Sequence, residues 1–359
     1  MTVRVGVLGC GGIARTAHVP SLMRIAGARV VAIADPDAAR LAAVRALATD
    51  ARPVADYHDV LAMPDVDAVI VALPPALHAD AALAALTHGK HVYVEKPLAA
   101  TVADGARVVT AAEGSALTAM MGFNYRYNPI VQDARARIAG GAIGALIGVR
   151  TVFATSVRTL APWKHRRELG GGVLLDLAVH HIDLIHFLLD AHVVDVSADI
   201  RSVRTEHDTA FLHLRLTGDC SATSMFSLSG VEEDRIEVYG TNGKVTIDRY
   251  ASLRAEVSAP AARGAFGHAA SRLIGELREL PYALRKQRAP MHDPSFPAAM
   301  QAFVQAVHQR TPASPSLRDG LRTLEVIDAA ESSARSGRVV ALRPATAAIP
   351  QSIIDGAGV

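Results

Sequence analysis

The sequence predicts an α/β fold built from two domains, and three observations support this. Short apolar runs alternate with helical patterns over the first 122 residues, as in a parallel sheet flanked by helices. A glycine-rich turn comes directly after the first apolar run. Beyond residue 122, apolar runs follow one another across short turns such as Thr241-Asn242-Gly243, which is typical of antiparallel strands. We therefore predict a Rossmann dinucleotide-binding domain over residues 1–122 and an α+β domain with a large, mainly antiparallel sheet over residues 123–359.

The periodicity of the apolar residues locates the elements of each domain. In the first domain it predicts strands at 3–8, 29–34, 68–72, 91–94 and 117–121, and helices at 13–25, 37–47, 77–88 and 102–113. In the second domain it predicts a helix ending near residue 139, a strand at 147–156, a long helix at 173–189, and strands at 193–203, 209–216, 221–229, 235–239 and 244–248.

The composition argues against several classes of partner. With 37 basic and 35 acidic residues, the formal net charge of +2 gives no strong field for nucleic acid or an anionic membrane. No uncharged apolar run approaches the roughly 18 residues of a membrane span, and we see no signal segment. Two cysteines, Cys10 and Cys220, are too few for a disulfide framework. We expect a cytoplasmic protein that binds small molecules.

The glycine-rich turn predicts a dinucleotide site. Glycines at such a turn let the backbone approach a pyrophosphate at the next helix N-terminus, and a small third residue allows close helix packing. Here the turn consists of Gly9, Gly11, Gly12, Ile13 and Ala14. The alternative is a glycine turn without a ligand.

Asp35 ends the second predicted strand, where a carboxylate can bind both ribose hydroxyls and repel a 2′-phosphate. We therefore expect NAD, although NADP is possible because Arg40, one helical turn later, could meet a phosphate. The Asp35-Pro36-Asp37 sequence could also be a plain helix cap.

Glu95-Lys96-Pro97 follows the apolar run at 91–94 and so places a lysine at the carboxyl end of a parallel strand. Ligands of open α/β sheets bind at this edge. We expect Lys96 to face the dinucleotide.

The predicted helix at 173–189 carries ionisable groups on an otherwise apolar surface. Asp176, His180 and Asp183 fall at i, i+4 and i+7 and project from one face. An imidazole can move the proton that accompanies hydride transfer, a carboxylate one turn away can orient it, and a lysine ammonium can stabilise an alkoxide. His181, about 100° around the helix, should tolerate substitution.

Two other interpretations of this helix stay open. The histidines could be core residues with satisfied hydrogen bonds, or Asp176, His180, His181 and His186 could hold a metal. We predict no metal, because His181 and His186 point away from the Asp176–His180 face and no recognised ligand spacing is present.

Basic residues cluster at two further places. The loop Trp163-Lys164-His165-Arg166-Arg167 could hold an anionic substrate group, or be a solvated loop. The segment 272–288 could contact a membrane or an anionic ligand, but acidic residues interrupt its charge, which favours an exposed helical arm.

Together these motifs resemble the Gfo/Idh/MocA family, which includes glucose–fructose oxidoreductase and inositol dehydrogenases. The resemblance extends over nearly the whole chain in order. Its matching residues are Gly9, Gly11, Ala14, Asp35, Pro74 with His78, the run Gly89-Lys90-His91-Val92, Glu95-Lys96-Pro97, Arg126 with Pro129, and the segment from Gly170 to Asp183.

The resemblance implies a nicotinamide cofactor and an active site between the domains. Lys96, Asp176 and His180 would act on a sugar or cyclitol, with His180 moving the proton, Lys96 polarising and Asp176 tuning the histidine. It also implies a cis peptide before Pro97 and a homodimer or homotetramer formed through the sheet. The residues it adds to the cofactor site are Leu73, Pro74, His78, Glu95 and Asn124. Near the substrate we expect Tyr125 and Arg126, together with Trp163 and Lys164 of the basic loop.

Three departures from the family pattern affect what can be transferred. Leu73 stands where the family usually has threonine, Ala298-Ala299 stand where many relatives carry a glutamate, and residues 254–290 look like an insertion. The substrate is therefore poorly transferable.

The leading hypothesis is an NAD(P)-dependent oxidoreductase acting on a sugar, a cyclitol or a derivative. One alternative is an NAD-dependent glycosidase that uses transient oxidation, but we identify no additional acid or base for it. Another is a non-catalytic nucleotide-binding protein, against which the intact Lys96, Asp176 and His180 argue.

Overall fold

The computed structural model describes residues 2–157, 161–258 and 280–342. Its strands are β1 (Val3–Leu8), β2 (Ala28–Ala34), β3 (Arg52–Val54), β4 (Ala68–Val71), β5 (His91–Glu95), β6 (Ala119–Gly122), β7 (Leu146–Ala154), β8 (Val193–Arg201), β9 (Thr209–Leu216), β10 (Cys220–Ser227), β11 (Glu233–Gly240), β12 (Gly243–Asp248), β13 (Glu256–Ser258) and β14 (Val340–Ala341).

Its helices are α1 (Val19–Leu22), α2 (Ala38–Arg45), α3 (Tyr57–Ala62), α4 (His78–Thr87), α5 (Val102–Glu113), α6 (Pro129–Ala139), α7 (Val179–Leu189), α8 (Leu280–Arg288), α9 (Ser295–Gln309) and α10 (Leu317–Ser336). Wider π-helical turns, Ala14–His18 and Leu174–Ala178, lead directly into α1 and α7.

The first sheet contains six parallel strands in the order β3-β2-β1-β4-β5-β6. Its central strands are apolar on both faces because helices cover both; every residue of β4 is buried. The strand order reverses direction between β1 and β4, which is where doubly wound sheets bind ligands. The predicted Rossmann domain is confirmed.

Within the described residues the second sheet contains eight strands, in the order β13-β12-β11-β7-β10-β9-β8-β14. All neighbours are antiparallel except β7 and β10, which are parallel. Along β9 buried and exposed residues alternate from Ala210, so one face packs inward and the other faces outward. The predicted mainly antiparallel sheet is therefore confirmed.

Most predicted elements agree with the structure to within a few residues at each end. The predicted elements do not include β3, α3, β13, β14, α9 or α10. Strands β3 and β14 have only three and two residues, too few for a periodic signal. The suggested insertion lies partly outside the described residues, and its described end forms α8.

Helix α9 follows the second sheet in sequence but packs on the first. Its buried residues Ala299, Met300, Phe303 and Val304 join a cluster with the side chains of β1 and α1. Helix α10 packs against α5, α7 and β8, and its buried residues belong to a core that continues into the second sheet. The C-terminal helices therefore hold the two sheets together, and the division of the chain at residue 123 stays a prediction.

The segment Arg167–Leu189 is long and apolar enough to cross a membrane by length and composition alone. In this fold 83% of its most apolar 18-residue stretch is buried inside the protein, as in the core helix of a globular protein. Its apolar surface is covered by protein.

Phe303→Ala should destabilise the protein by about 3–5 kcal/mol, since the ring is fully buried between α9 and the first sheet. Urea denaturation of the full chain measures this. The control is Gln305→Ala on the exposed side of the same helix, which should stay within about 0.5 kcal/mol of wild type. Equal stabilities of the two variants would show that α9 is not part of the core.

Candidate active site between the two sheets

The glycine turn after β1 has room for a phosphate. Gly9 has φ +94°, and a Cβ there would collide with the carbonyl oxygen of Ala72, so only glycine fits. At Gly11 and Gly12 a Cβ would meet no atom within 4 Å. This open space lies over the first N–H groups of the following helix, where an anion binds favourably. The turn therefore fits a dinucleotide pyrophosphate.

Asp35 braces the same turn. One carboxylate oxygen accepts the backbone N–H of Cys10 at 2.8 Å and the other accepts that of Asp37 at 2.9 Å. Each oxygen keeps a lone pair for a ribose hydroxyl. Arg40 is largely exposed and lies 3.4 Å from Asp37, which caps α2.

Two residues predicted to bind the cofactor make contacts within the protein. The ring nitrogens of His78 lie 2.6 Å from the Pro97 carbonyl oxygen and 2.8 Å from that of Leu73. Asn124 donates its amide to the hydroxyl of Ser295 at 2.8 Å. The His78 and Asn124 side chains therefore fasten the loops around the site, and their contact with the cofactor stays a prediction.

Glu95 has a similar supporting position. It is buried, one carboxylate oxygen lies 2.7 Å from Nε2 of His18, and the other accepts the backbone N–H of Lys96 at 3.1 Å. Burial alone would raise the pKa of Glu95, but the neighbouring His18 brings it below its ordinary value. The Lys96–Pro97 peptide is cis, as the resemblance implied.

Lys96 meets Asp176 across the gap between the sheets. Its ammonium donates to the Asp176 carbonyl at 2.7 Å and to the carboxylate at 3.1 Å. Lys164 donates to both oxygens of the same carboxylate at 2.8 Å. Burial would raise the pKa of Asp176, but the two lysine charges outweigh it and hold that pKa well below its ordinary value.

A glycine lets Lys164 reach this position. A Cβ on Gly171 would lie 2.5 Å from the carbonyl oxygen of Lys164, so the loop can pack on the helix start only when residue 171 lacks a side chain. The other basic residues of this loop are used elsewhere: Arg166 pairs with Glu168 and Arg167 with Glu331. Of the predicted anion-binding loop, Lys164 therefore reaches the site, with Trp163 5.4 Å from its ammonium.

His180 also faces the gap but is not oriented by Asp176. Its ring stacks on Tyr125, with centroids 4.1 Å apart and an interplanar angle of 17°. Burial lowers the pKa of His180 well below its ordinary value, and the charges of Lys96 and Arg249 lower it further. The imidazole is therefore neutral at neutral pH. The predicted orientation of His180 by Asp176 is not seen. The Asp176 carboxylate binds two lysines instead, and the His180 ring stacks on Tyr125.

Arg126, predicted to bind substrate, is paired with carboxylates inside the protein. Its guanidinium forms a bidentate pair with Asp183 at 2.5 and 2.9 Å, and lies 3.4 Å from Asp319. Asp183 is almost fully buried, so the pair compensates its charge within the core.

His181 is also less independent than its sequence position suggests. Its ring is fully buried and Nε2 lies 3.0 Å from Asp234. Asp234 in turn accepts from Nε of Arg249 at 2.7 Å. The expected tolerance of His181 to substitution therefore does not fit its surroundings. Among the described residues no group of three or more His, Cys, Asp or Glu side chains is placed to hold a metal.

These side chains surround a cleft of about 640 Å³. The residues at the far end of this cleft were not predicted from the sequence, because they come from segments that carry no recognisable motif. The charged and aromatic groups that line it are Lys96, Tyr125, Phe153, Lys164, Asp176, His180, Arg249, Tyr250, Lys286, His292, Asp293 and Phe296.

A glycine turn at the reversal point of a parallel sheet, and a cleft whose lysine lies at the same edge of that sheet and faces a neutral imidazole, define a dinucleotide-dependent oxidoreductase. Comparison with known proteins agrees. Residues 3–123 match an oxidoreductase family with an NAD-binding Rossmann fold, and residues 131–246 match the GFO/IDH/MocA C-terminal domain. The chain belongs to the GFO/IDH/MocA family, as its motifs predicted. The predicted nicotinamide dinucleotide cofactor is confirmed at the level of NAD(P).

Two curated relatives illustrate the similarity. Inositol 2-dehydrogenase 3 of Saccharopolyspora erythraea is 31% identical over 343 residues, 95% of each chain. The dTDP-3,4-didehydro-2,6-dideoxy-alpha-D-glucose 3-reductase of Saccharopolyspora spinosa is 32% identical over 249 residues, 69% of this chain and 75% of that protein. Among solved structures, the WlbA dehydrogenase from Bordetella pertussis, in complex with NADH and UDP-GlcNAcA, has the same fold. Its TM-score is 0.82 at 24% identity, over 96% of this chain and 98% of that one.

Arg126→Gln should cost about 3–5 kcal/mol of stability, because it leaves Asp183 buried without its partner. Urea denaturation measures the loss. Arg137→Gln, which breaks a half-exposed pair with Asp133 on α6, is the matched control and should cost under about 1 kcal/mol. If Arg126→Gln keeps native stability and instead raises the KM for a substrate, the structural assignment is wrong.

Proposed function

We propose that the protein transfers hydride between the nicotinamide of NAD and the carbinol or carbonyl carbon of a sugar, a cyclitol or a sugar derivative. The observation that carries the proposal is the convergence of Lys96, Asp176 and His180 on one cleft, with Lys96 at the same edge of the parallel sheet as the glycine turn. The substrate class is supported by the two relatives, one named for inositol and one for a nucleotide-linked sugar. The residue roles below belong to the same proposal.

In the oxidative direction His180 accepts the proton of the substrate hydroxyl. A neutral imidazole is needed for this, and burial together with Lys96 and Arg249 keeps His180 neutral. The Lys96 ammonium donates a hydrogen bond to the developing oxyanion, and Asp176 holds that ammonium in place. The dinucleotide, which the glycine turn and Asp35 would hold, would supply a nicotinamide ring as the hydride acceptor. In the reductive direction the transfers run in reverse, and His180, protonated only transiently from solvent, passes the proton to the substrate oxygen.

The substrate carries an anionic group. Three lysines line the cleft, Lys96, Lys164 and Lys286, against the carboxylate of Asp176, while Arg249, also in the lining, is paired with Asp293. Lys286 lies in the described end of the suggested insertion and donates to the backbone carbonyl of Arg249 at 2.9 Å. A carboxylate or phosphate on the sugar would compensate this excess.

The protein acts in the cytoplasm as a homodimer or homotetramer. Both cysteines are free and buried, which fits a reducing compartment. The outer face of the second sheet carries Val152, Phe211 and Met225 around a shallow groove of about 480 Å³. A second copy covering this face would bury these side chains, and Phe211 in particular is 40% exposed.

The test of the function is a screen of sugars, cyclitols, uronates and nucleotide sugars with NAD and NADP, followed by reduced-nicotinamide absorbance. We expect turnover with NAD and at least tenfold tighter binding of NADH than NADPH, about 1.4 kcal/mol, because Asp35 would lie beside a 2′-phosphate. Asp35→Asn keeps the shape of the side chain and removes its charge, so it should reduce the ratio of NADH affinity to NADPH affinity. NADPH bound tenfold more tightly by the wild type would overturn the NAD assignment.

Lys96→Met and His180→Asn should each lower kcat by on the order of 10²–10⁴ while NAD affinity stays close to wild type. The first removes the charge that supports the oxyanion and the second removes the group that moves the proton. Stopped-flow or steady-state kinetics on the substrate from the screen measures both. His308→Asn, on the exposed end of α9, is the control. Near-native turnover in either site variant would remove that residue from the mechanism.

A further inference from the structure

Tyr125 lies between a cation and the imidazole of His180. The Arg249 guanidinium carbon is 3.2 Å from the centre of the Tyr125 ring. The His180 ring is 4.1 Å from the same centre and nearly parallel to it. Two groups at these distances cannot share one face of a ring, so Arg249 and His180 occupy opposite faces.

Arg249 is held firmly in this position. Its Nε donates to Asp234 at 2.7 Å and its Nη1 donates to Asp293 at 2.9 Å. Asp234 is 1% exposed and its other oxygen lies 3.0 Å from His181. The guanidinium therefore joins α7, β11 and the turn before α9, and the Tyr125 ring packs against a fixed plane.

Stacking on Tyr125 orients the His180 ring, a task that a hydrogen bond performs in most proton-transfer sites. A catalytic imidazole is usually oriented by a carboxylate or carbonyl on its second nitrogen. Here Nδ1 of His180 is buried without a hydrogen-bond partner among the residues that the structure describes. The carboxylate one turn away, Asp176, is taken up by two lysines. Ring stacking is the contact left to set the plane of the imidazole.

We propose that Arg249 is a positioning residue for proton transfer: fixed by Asp234 and Asp293, it presses the Tyr125 ring against His180 and so orients the imidazole toward the cleft. This rests on the proposed function of His180. Arg249 also places a cation beside the imidazole. The other charged or titratable groups around His180 are Lys96 at the end of β5, and Asp176 and His181 on its own helix. The two cations and burial outweigh Asp176, so the resting imidazole is free to accept a proton.

The first test needs no substrate. NMR titration of the full-length protein follows the His180 ring, assigned by comparison with His180→Asn. We expect no protonation of His180 between pH 6 and 8 in wild type, and at least a tenfold increase in its proton affinity in Arg249→Met. Arg249→Lys keeps the charge and should titrate like wild type. An unchanged His180 titration in Arg249→Met overturns the electrostatic part of the proposal, whatever the substrate screen finds.

The second test uses the substrate from the screen. Arg249→Met should lower kcat at neutral pH at least tenfold with little change in KM or NAD affinity, and Arg249→Lys should restore part of the loss. Tyr125→Leu, which removes the ring but leaves the ion pairs of Arg249 intact, should lower kcat in the same way. Arg318→Met, which breaks an exposed pair with Glu113, is the control. A raised KM with unchanged kcat in Arg249→Met would make Arg249 a substrate-binding residue and overturn the proposal.

Arg249→Met leaves the carboxylates of Asp234 and Asp293 without their cation, which disturbs the fold. Variants that disturb the fold less are therefore included. Arg249→Met combined with Asp234→Asn removes one of the stranded charges, and Tyr125→Leu strands none. If both of these fold and keep the wild-type kcat, the stack has no role in proton transfer. If neither the screen nor any other assay finds a substrate, the titration still decides whether Arg249 controls His180.

Discussion

The site depends on the two salt bridges that the Asp176 carboxylate forms, one with Lys96 and one with Lys164. Lys96 comes from the end of the first sheet, Lys164 from the loop before the long helix, and Asp176 from the helix itself. A buried carboxylate without a partner would cost several kcal/mol, so the folded state requires all three segments together. The cleft is thereby assembled by the same contacts that stabilise the junction between the sheets.

The same constraint explains the rest of the helix at 173–189. Each ionisable group that it buries meets a group from a different element: Asp183 meets Arg126, His181 meets Asp234, and His180 meets Tyr125. In sequence, Arg126 and Asp183 are 57 residues apart, and His181 and Asp234 are 53 residues apart. A polar residue on an apolar helix is therefore a mark of a long-range contact, and only some of those contacts lie in the active site.

Features encoded locally could be predicted from the sequence, whereas features set by distant partners could not. Apolar runs located eleven of the fourteen strands that the structure describes, and the glycine turn and Lys96 located the cofactor edge. The sequence does not say which carboxylate a given cation will meet, so Arg126 looked like a substrate residue and Asp176 like the partner of His180. Arg249 carries no motif, and its importance follows only from its position over Tyr125. Helix α10 had a signal, the capping box of Ser316 and Asp319, that pattern reading can use.

The two groups that act on the substrate oxygen are held by different physical means. Lys96 is held by charge, through a carboxylate that also binds Lys164, whereas His180 is held by ring contacts with Tyr125. A carboxylate bonded directly to His180 would have raised the pKa of the imidazole and so kept a larger fraction of it protonated, and unable to accept a proton, at neutral pH. By directing Asp176 to the lysines, the fold supports a charged donor and a neutral acceptor within one cleft. This separation is what a reaction that moves a proton off an oxygen, while stabilising the charge left behind, requires.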